Sequence, residues 1–280
     1  MQRWSIGQFE GVSPLELTPA AGVRNPVLTA DDVDDVWAGF VADPFVLAVG
    51  DRWHMFFEVF DAGCGQGRIG YAESADGRAW RYRGIILREA FHLSYPFVFV
   101  HAGSYFMVPE TIGAAEVRLY RADSFPTGWR PVAALIGRPL ADPTPLRFGG
   151  SWWLYGCGRP RANDELRLYG ATTLQGDWSE HPASPVVAGD PGLARPGGRP
   201  LLRDGRMMRW AQDCRGSYGA AVRAVVVEQC SSQAYQESPL PIDPFAHPAR
   251  ERWNAGGMHH VDAHDDGSGH WHAWVDGRAR

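Results

Sequence analysis

The sequence predicts an all-β protein, a single five-bladed β-propeller whose blades are four-stranded antiparallel sheets. Three observations lead to this prediction: short aromatic and β-branched runs, a proline-led unit repeated about every fifty residues, and tryptophans with a similar period. The 33 Gly and 21 Pro separate the apolar runs, as turns separate the strands of a β-meander. Helical periodicity is weak, and we expect only one or two helical turns, over Asp31–Trp37 with Thr29 as the cap.

The repeated unit begins with a proline, continues as an apolar strand, turns at glycine and returns as a second apolar or aromatic strand. Four copies are led by prolines spaced 52, 47 and 53 residues apart, and a fifth copy begins at Gly256 without the proline. The leading prolines are Pro44, Pro96, Pro143 and Pro196. One supersecondary unit per repeat of this length is typical of a propeller blade.

Each of the first three units continues with a third strand, a polar turn, a tryptophan and an outer strand. These tryptophans, Trp80, Trp129 and Trp178, are 49 residues apart. The fifth unit has room for about two strands, so we expect Arg3–Phe9 to add a strand that closes the ring. Residues 1–280 then form one domain. A β-sandwich with coincidental proline spacing is the alternative, but it leaves the similar periods of prolines and tryptophans unexplained.

Composition and charge limit the classes of partner. The net charge of −5 and the pI near 6.0 argue against nucleic acid or an anionic membrane, because both need a basic surface. The N-terminal residues lack the apolar core of a signal peptide, and no apolar run approaches the roughly 20 residues that span a membrane. We expect free thiols in a reducing cytoplasm rather than two disulfides, since no CxxC pair is present. The cysteines are Cys64, Cys157, Cys214 and Cys230.

Two of the proline-led units carry an Asp-Pro pair, in "ADPF" from Ala42 and in "ADPTPLRFGGSWWLYG" from Ala141. These stretches resemble the acidic strands of the five-bladed glycoside hydrolases of families 43, 32, 62 and 68. The resemblance implies that the Asp of blade 1 is a general base or nucleophile and that the Asp of blade 3 tunes the proton donor and orients the sugar. In that group a Glu on a later inner strand is usually the acid.

The whole chain is similar to the N-terminal domain of plant glucosamine inositolphosphorylceramide transferases and to its free-standing bacterial relatives. The matching stretches include "NPVLTADDVDD", "FVADPFV", "FHLSYPFVF", "MVPET", "ARPGGRP" and "GMHHVDAH". The resemblance implies a propeller fold and a carbohydrate-related role. It does not transfer a reaction, because the transferase domain of the plant proteins is a separate unit.

Glycosidic bond cleavage needs two carboxyl groups, one ionised and one protonated. We expect Asp43 to be the base, Asp142 to be the tuning or sugar-orienting carboxylate, and Glu110 of "MVPET" to be the proton donor. In the purely structural interpretation, each Asp-Pro pair only begins a strand, and Glu110 is a surface residue at a strand end. Whether the chemistry would invert or retain the anomeric configuration depends on a carboxyl separation that the sequence does not give.

Two positions depart from the hydrolase pattern. Tyr95 and Arg195 stand where related hydrolases often have acidic residues. Arg195 and Arg199 of "ARPGGRP" bring positive charge to the axis and could bind an anionic sugar such as a uronate or sugar phosphate, because guanidinium groups bind such anions in two-pronged fashion. Alternatively, Arg195 pairs with an axial Asp and only neutralises it. The paired glycines between them allow a ligand or a neighbouring strand to approach closely.

Further polar residues are candidates for binding sugar hydroxyls. They are Glu58, His92, Tyr95, Arg118, Asp213, His259 and His260. Arg118 could equally be an ordinary strand-face residue. His260, Asp262 and His264 alternate along one strand, and such a set could bind a divalent metal, line the axis with hydrogen bonds or have no role. We expect no cofactor.

The 12 Trp and 9 Tyr suit a carbohydrate partner, because a flat ring matches the apolar face of a pyranose. We therefore expect a glycoside hydrolase or a related glycosyl-transferring enzyme. Two alternatives are a glycan-binding propeller without catalysis and a scaffold for a separate transferase. An arginine lodged between the axial carboxyl groups would favour the binding protein.

Overall fold

The computed structural model describes residues 3–203, 205–245 and 251–280. Its strands form five antiparallel sheets, and these sheets are the blades of one propeller, as the sequence predicts. The chain opens with β1 (Trp4–Ser13) and β2 (Glu16–Pro19), which belong to the fifth blade. Blades 1 to 4 then follow in chain order.

Blades 1 and 2 are regular four-stranded meanders that run from the axis outwards. The strands of blade 1 are β3 (Ala38–Val49), β4 (Arg52–Asp61), β5 (Gln66–Ser74) and β6 (Arg81–Leu87). The strands of blade 2 are β7 (Ser94–His101), β8 (Ser104–Glu110), β9 (Val117–Ser124) and β10 (Thr127–Ile136).

Blades 3 and 4 each contain one strand position that is split into two short pieces. The strands of blade 3 are β11 (Ala141–Phe148), β12 (Ser151–Cys157), β13 (Glu165–Ala171), β14 (Ser179–Glu180) and β15 (Val187–Ala188). The strands of blade 4 are β16 (Arg195–Pro196), β17 (Leu201–Arg203), β18 (Arg206–Asp213), β19 (Ala221–Cys230) and β20 (Tyr235–Pro239). β14 and β15 both pair with β13, while β16 and β17 both pair with β18, so each blade keeps four layers. Prolines lie in both interruptions, and they cannot donate to a ladder.

The fifth blade joins the two ends of the chain. β21 (Val261–Asp265) is innermost, β22 (Trp271–Arg278) follows, and β1 and β2 complete the sheet. The register between β1 and β22 runs from Trp4 opposite Arg278 to Gly11 opposite Trp271. The predicted closure by the N-terminal strand is confirmed, and the N-terminal segment also supplies the outermost strand.

Gly198 lies where the inner strands of blades 4 and 5 meet. It forms a parallel bridge with Val261, and a Cβ atom at this glycine would lie 1.8 Å from the Val261 carbonyl oxygen. Its φ of 133° is also open mainly to glycine. Of the two explanations for this glycine, the close approach of a neighbouring strand is therefore the one that the structure supports.

The apolar core is divided among the blade interfaces. In the described residues, five buried clusters each combine side chains from two neighbouring blades. Phe45 of blade 1 and Phe97 of blade 2 share one cluster, and Ile6 of blade 5 and Phe57 of blade 1 share another. Trp129 is buried in the first of these. Because each blade is sandwiched between two others, removing one blade would expose two interfaces.

The predicted helical turns over Asp31–Trp37 are wrong beyond the first residues. A single 3-10 turn covers Ala30–Asp32, with Thr29 as its cap in a capping box. The chain then becomes extended because Asp35 accepts hydrogen bonds from the Tyr82 hydroxyl and the Ile85 amide on the outer strand of blade 1. In the described ranges no helix is long and apolar enough to cross a membrane. All four cysteines are free thiols.

Candidate functional site on the propeller axis

Asp43, Tyr95 and Asp142 occupy equivalent points on the inner strands of blades 1 to 3. Each precedes a proline, and each lies at a register shift in its ladder. Their φ angles are 54°, 48° and 49°, which is the left-handed region that residues other than glycine rarely adopt. A bulge turns a side chain away from the ordinary alternation, and here it happens at the same level of three neighbouring blades.

Asp142 is held by a two-pronged ion pair with Arg195 of blade 4. The guanidinium Nε lies 2.6 Å from Oδ2 and Nη2 lies 3.3 Å from Oδ1. The Gln212 amide donates a further hydrogen bond to Oδ2 at 2.7 Å. Arg195 also lies 3.6 Å from Glu110, whose carboxyl group accepts a hydrogen bond from the Asp142 backbone amide at 3.2 Å. The guanidinium group of Arg195 is therefore occupied by protein carboxyl groups. This arrangement corresponds to the alternative in which Arg195 pairs with an axial aspartate and neutralises it.

Asp43 faces a histidine and a second aspartate from blade 5. His259 places Nδ1 2.7 Å from Asp276 and Nε2 3.8 Å from Asp43, so the imidazole lies between two carboxyl groups. Asp276 also accepts the backbone amides of Asp43, His259 and His260 at 3.0–3.2 Å. Asp43, His259 and Asp276 offer three ligand atoms within 4.8 Å of one another, a set that could hold a cation. A cation would have to displace the proton shared by His259 and Asp276.

Glu58 lies on the second strand of blade 1 and is buried beside the cluster. The Gly67 amide donates to His92 Nδ1 at 2.8 Å, so a neutral His92 carries its proton on Nε2. That nitrogen lies 3.3 Å from the Glu58 carboxyl group. The two residues predicted to bind substrate therefore form one pair, with His92 on the solvent side. We call Asp43, Glu58, Glu110, Asp142 and Asp276, with Arg195 and His259, the axial carboxyl cluster.

Burial and mutual repulsion change the protonation of these carboxyl groups. Burial, with repulsion from Asp276 and Asp142, raises the pKa of Asp43 to about 7, although His259 opposes the shift. Burial and the neighbouring Asp142 raise the pKa of Glu110 to about 8. The pKa of Glu58 is also raised well above its usual value, by burial first and then by repulsion from the other carboxyl groups. Carboxyl groups with such shifts hold protons near neutrality.

His259 and Asp276 shift the opposite way. Burial disfavours the charged form of both, but their mutual attraction outweighs it, so the pKa of His259 is raised and that of Asp276 is lowered. The imidazolium then supports the ionised form of Asp43. Trp4 covers His259 with a stacked ring at 4.1 Å, which keeps water from this face.

Tyr95 and His260 lie beneath the cluster and have no exposed surface. The Tyr95 hydroxyl is 2.9 Å from the Thr144 hydroxyl and accepts the Gly198 amide at 2.8 Å, which joins blades 2, 3 and 4. The His260 ring is 2.9 Å from the Pro44 carbonyl oxygen. Both were predicted to bind substrate, but neither side chain is exposed; the second ring nitrogen of His260, Nδ1, lies 3.9 Å from Asp43 Oδ1.

Arg199 belongs to a second polar cluster deeper in the axis, which we call the lower axial cluster. Its Nε lies 2.6 Å from Asp262, which also accepts the Val46 amide at 2.6 Å and lies 3.0 Å from His264. The Nε and Nη2 atoms of Arg199 are therefore already paired with Asp262 and do not offer a two-pronged contact to an anionic sugar. In the described residues, His260, Asp262 and His264 are not one of the groups whose ligand atoms converge on a common point.

Arg118 and Asp213 are engaged by partners outside the axial carboxyl cluster. The Arg118 Nε donates to Glu116 at 2.6 Å. The Asp213 carboxylate accepts from Arg215 at 2.6 Å and from Arg223 at 2.7 Å. The predicted substrate contacts at these two positions would require these ion pairs to open.

Two members of the site were not predicted from the sequence. Trp4 and Asp276 come from strands that pair only when the ring closes, and no repeated motif marks them. Tyr218 is 38% exposed, packs against His259 and has the Arg195 guanidinium 5.1 Å from its ring centre. As part of "SYG" at a strand end of the fourth unit, Tyr218 could bind sugar hydroxyls or simply belong to a turn, and the structure places its exposed ring beside the cluster.

Comparison with known proteins identifies the family. The family model described as glucosamine inositolphosphorylceramide transferase 1, N-terminal, matches residues 2–278. The chain belongs to this family. Glucosamine inositolphosphorylceramide transferase 1 of Oryza sativa subsp. japonica is 39% identical over 98% of the chain, and that of Arabidopsis thaliana is 35% identical over 98%. The chain spans about 40% of the length of these relatives.

Solved structures of glycoside hydrolases share the fold of this family member. The catalytic domain of a GH62 α-L-arabinofuranosidase from Coprinopsis cinerea superposes with a TM-score of 0.61 and 12% identity, covering 99% of this chain and 97% of that chain. A family 117 glycoside hydrolase from Zobellia galactanivorans gives a TM-score of 0.55 and 13% identity, with 99% and 91% coverage. At such identities the likeness shows the fold alone.

Proposed function

We propose that the chain binds a carbohydrate at the axial carboxyl cluster and acts there on a glycosidic bond, as a hydrolase or glycosyl-transferring enzyme. The observation that carries the proposal is a pair of buried carboxyl groups on neighbouring blades, with pKa values of about 7 for Asp43 and about 8 for Glu110. At neutral pH Glu110 holds a proton that it can donate, while Asp43 is partly ionised and can act as a base. Glycosidic chemistry needs this combination.

The neighbouring residues fit supporting roles in this reaction. His259, polarised by Asp276, lies 3.8 Å from Asp43 and favours its ionised form. Asp142 donates its backbone amide to Glu110, and its negative charge helps to keep that carboxyl group protonated. Tyr218 offers an exposed ring on which a sugar can stack.

The pairing of the arginines disfavours an anionic sugar at the cluster. Five carboxyl groups face one guanidinium and one imidazole, and both Arg195 and Arg199 are already paired. A phosphate or uronate therefore finds no free guanidinium group in the cluster, whereas the carboxyl groups can exchange hydrogen bonds with the hydroxyl and amino groups of a sugar. The names of the plant relatives contain glucosamine, and we propose glucosamine-containing glycans as the first substrates to test.

A glycan-binding protein without catalysis is the second candidate function. It is favoured by Arg195, which contacts both Asp142 and Glu110 and so occupies space between two of the proposed catalytic groups. In that case the same cluster recognises a sugar and leaves its linkage intact. The two functions differ in turnover, and binding alone does not separate them.

The test measures turnover of aryl and alkyl glucosaminides by wild type, Asp43→Asn and Glu110→Gln. Loss of a general base should lower turnover by roughly 10²–10⁴-fold in Asp43→Asn. Asn also tolerates the left-handed backbone at this position, so the change removes charge and leaves the bulge. Glu110→Gln should affect alkyl substrates more than aryl substrates, because a good leaving group needs less protonation.

Glu237→Gln is the matched control, since Glu237 is a carboxylate that pairs with Arg209 away from the cluster. Its turnover per folded molecule should stay within a few-fold of wild type. Normal turnover in both axial variants would refute the catalytic roles. Tight binding of glucosaminides without any turnover by the wild type would establish the binding protein instead.

A further inference from the structure

The hairpin of β3 and β4 in blade 1 extends past the axial carboxyl cluster. β3 begins at Ala38, five residues before Asp43, whereas β7 and β11 begin one residue before Tyr95 and Asp142. Five residues of strand span roughly 17 Å. Blade 1 therefore extends a wall of paired strands, with a register shift between Ala38 and Phe40, on the solvent side of the cluster.

One face of this wall continues the face that carries Glu58. The pairing of β4 with β5 is regular from Trp53 to Asp61, so Glu58 and Phe60 point the same way. Phe40 of β3 pairs directly with Phe60, and their rings stack in parallel with centres 5.0 Å apart and an interplanar angle of 5°. The two stacked rings form an aromatic pair one step beyond Glu58, and we call this pair the aromatic face.

The fold gives this aromatic face no packing role. In the described part of the chain, the five apolar clusters contain neither Phe40 nor Phe60, and both rings are only half-buried. Trp37, directly before the hairpin, is 74% exposed. Exposed aromatic side chains grouped beside a polar site point to a ligand rather than to core packing.

Gly67 lies against the Glu58–His92 pair and against the Leu93 carbonyl oxygen, from which a Cβ atom at this glycine would be only 2.2 Å away. It pairs with Phe60 across the sheet, and a Cβ atom there would lie 2.7 Å from the Glu58 Oε1 and 2.8 Å from the His92 ring. Any larger residue would therefore press on the Glu58–His92 pair. Phe60 and Glu58 are separated by two residues, roughly 7 Å along the strand, which is about the step between neighbouring sugar rings.

We propose that Phe40 and Phe60 form a second sugar subsite, which binds the ring attached to the one held at the axial carboxyl cluster. The inference rests on the proposed function, because the first ring must occupy the cluster. A pyranose presents an apolar face that suits a flat aromatic surface, and the Glu58–His92 pair offers hydrogen bonds to hydroxyl groups at the junction. The occupant is thus a disaccharide or a longer glycan.

The experiment compares disaccharides with methyl monosaccharides by calorimetry on the full chain. The probes are the methyl glycosides of glucosamine, glucose, galactose and mannose, and disaccharides that carry each of these at the non-reducing end. At least one disaccharide should bind several-fold more tightly than its methyl glycoside. Phe60→Ala and Phe40→Ala should each reduce that gain by roughly 3- to 10-fold and leave the methyl glycoside unaffected, as expected for a lost ring stack.

Phe148→Ala is the matched control, because Phe148 is also half-buried but ends β11 at the opposite face of the propeller. It should leave every affinity unchanged. The subsite would be overturned if disaccharide and methyl glycoside bound with equal affinity. It would also be overturned if the affinity gain of the disaccharide persisted in both Phe40→Ala and Phe60→Ala. A dodecyl glycoside that depends on Phe60 when no disaccharide does would overturn it as well, since the face would then bind an aliphatic chain.

The failure of the proposed function gives a different result. If no methyl glycoside binds the wild type at all, the axial carboxyl cluster is not a sugar site, and the second subsite fails with it. If methyl glycosides bind and Asp43→Asn alters their affinity, a missing disaccharide gain refutes only the aromatic subsite.

Discussion

The axial carboxyl cluster and the lower axial cluster contain the same kind of ion pair, yet their charges balance differently. In the lower cluster, Asp262 meets Arg199, His264 and a backbone amide, and its pKa falls far below the usual range because these partners outweigh burial. In the upper cluster, the Asp142–Arg195 pair is surrounded by further carboxyl groups whose pKa values rise. The lower cluster thus pairs its charges across a blade boundary, whereas the upper cluster holds carboxyl groups that keep their protons to higher pH.

The comparison also separates arginines that look alike in sequence. Arg195 and Arg199 both belong to "ARPGGRP", four residues apart, and both form two-pronged contacts with an aspartate. Arg199 additionally packs over Phe97 at 4.8 Å, while Arg195 lies beside the exposed Tyr218 at 5.1 Å. The first arginine adjoins solvent-facing groups and the second is a structural support.

The largest expected effect on stability comes from breaking the lower cluster. Asp262→Asn leaves Arg199 without its counter-charge in a nearly enclosed site and should lower the free energy of unfolding by about 3–5 kcal/mol. Urea unfolding followed by tryptophan fluorescence measures this change. Asp265→Asn is the control on the same strand, since Asp265 is exposed, and it should change stability by about 0.5 kcal/mol at most. Equal effects of the two variants would contradict the assigned difference.

Glu110→Gln should show the opposite sign, and its effect should depend on pH. Below pH 4.5 the carboxyl group is protonated in both folded and unfolded chains, so its ionisation does not lower the free energy of unfolding. Between pH 4.5 and about 8 the unfolded form ionises while the folded form keeps its proton, so wild-type stability falls across this window. Because Gln does not titrate, the variant does not lose stability across this pH window.

The variant should therefore gain on the order of 2–4 kcal/mol relative to wild type between pH 5 and pH 9. Thermal unfolding at both pH values measures the gain, which corresponds to roughly 2–4 °C per kcal/mol. A constant difference between variant and wild type across this range would show that Glu110 ionises normally. Glu237→Gln, which breaks a paired carboxylate, should instead be destabilising at both pH values.

Tyr95→Phe has the smallest expected effect of the three. The change deletes the hydroxyl that joins Thr144 and the Gly198 amide, and leaving that buried amide without a partner should cost about 1–3 kcal/mol. Chemical denaturation measures the cost. Tyr218→Phe serves as the control, because an exposed ring should lose almost no stability. No destabilisation by Tyr95→Phe would mean that the blades do not depend on this contact.

Much of the fold and the centre of the site followed from local patterns. Pro44, Pro96 and Pro143 marked three inner strands, and the residues before them share one backbone conformation in the structure. The period predicted the propeller because each blade repeats the same unit. Asp43, Glu110, Asp142 and Arg195 do come together at the axis.

Pairing between distant residues could not be predicted in the same way. The Asp43 amide bonds to Asp276, 233 residues away, and Arg199 finds Asp262 across a blade boundary. Nothing in either local stretch says whether a charge will be matched by a residue so far along the chain. The pattern therefore predicted sugar contacts for Arg199 and Tyr95, and it did not predict that the fold pairs them with Asp262 and with Thr144 and Gly198.

The geometry of the site depends on the closure of the fifth blade, and so on complete folding of the propeller. Asp276 lies on β22, and Trp4 lies on β1, so both reach His259 only when the two ends of the chain have met. Among the described strands, β1 is synthesised before blades 1 to 4 and its neighbour β22 after them, which leaves the edges of β1 unpaired while these blades emerge. An unpaired strand is prone to join a wrong partner. The contacts of Trp4 and Asp276 with His259 therefore form only in molecules that avoided this error.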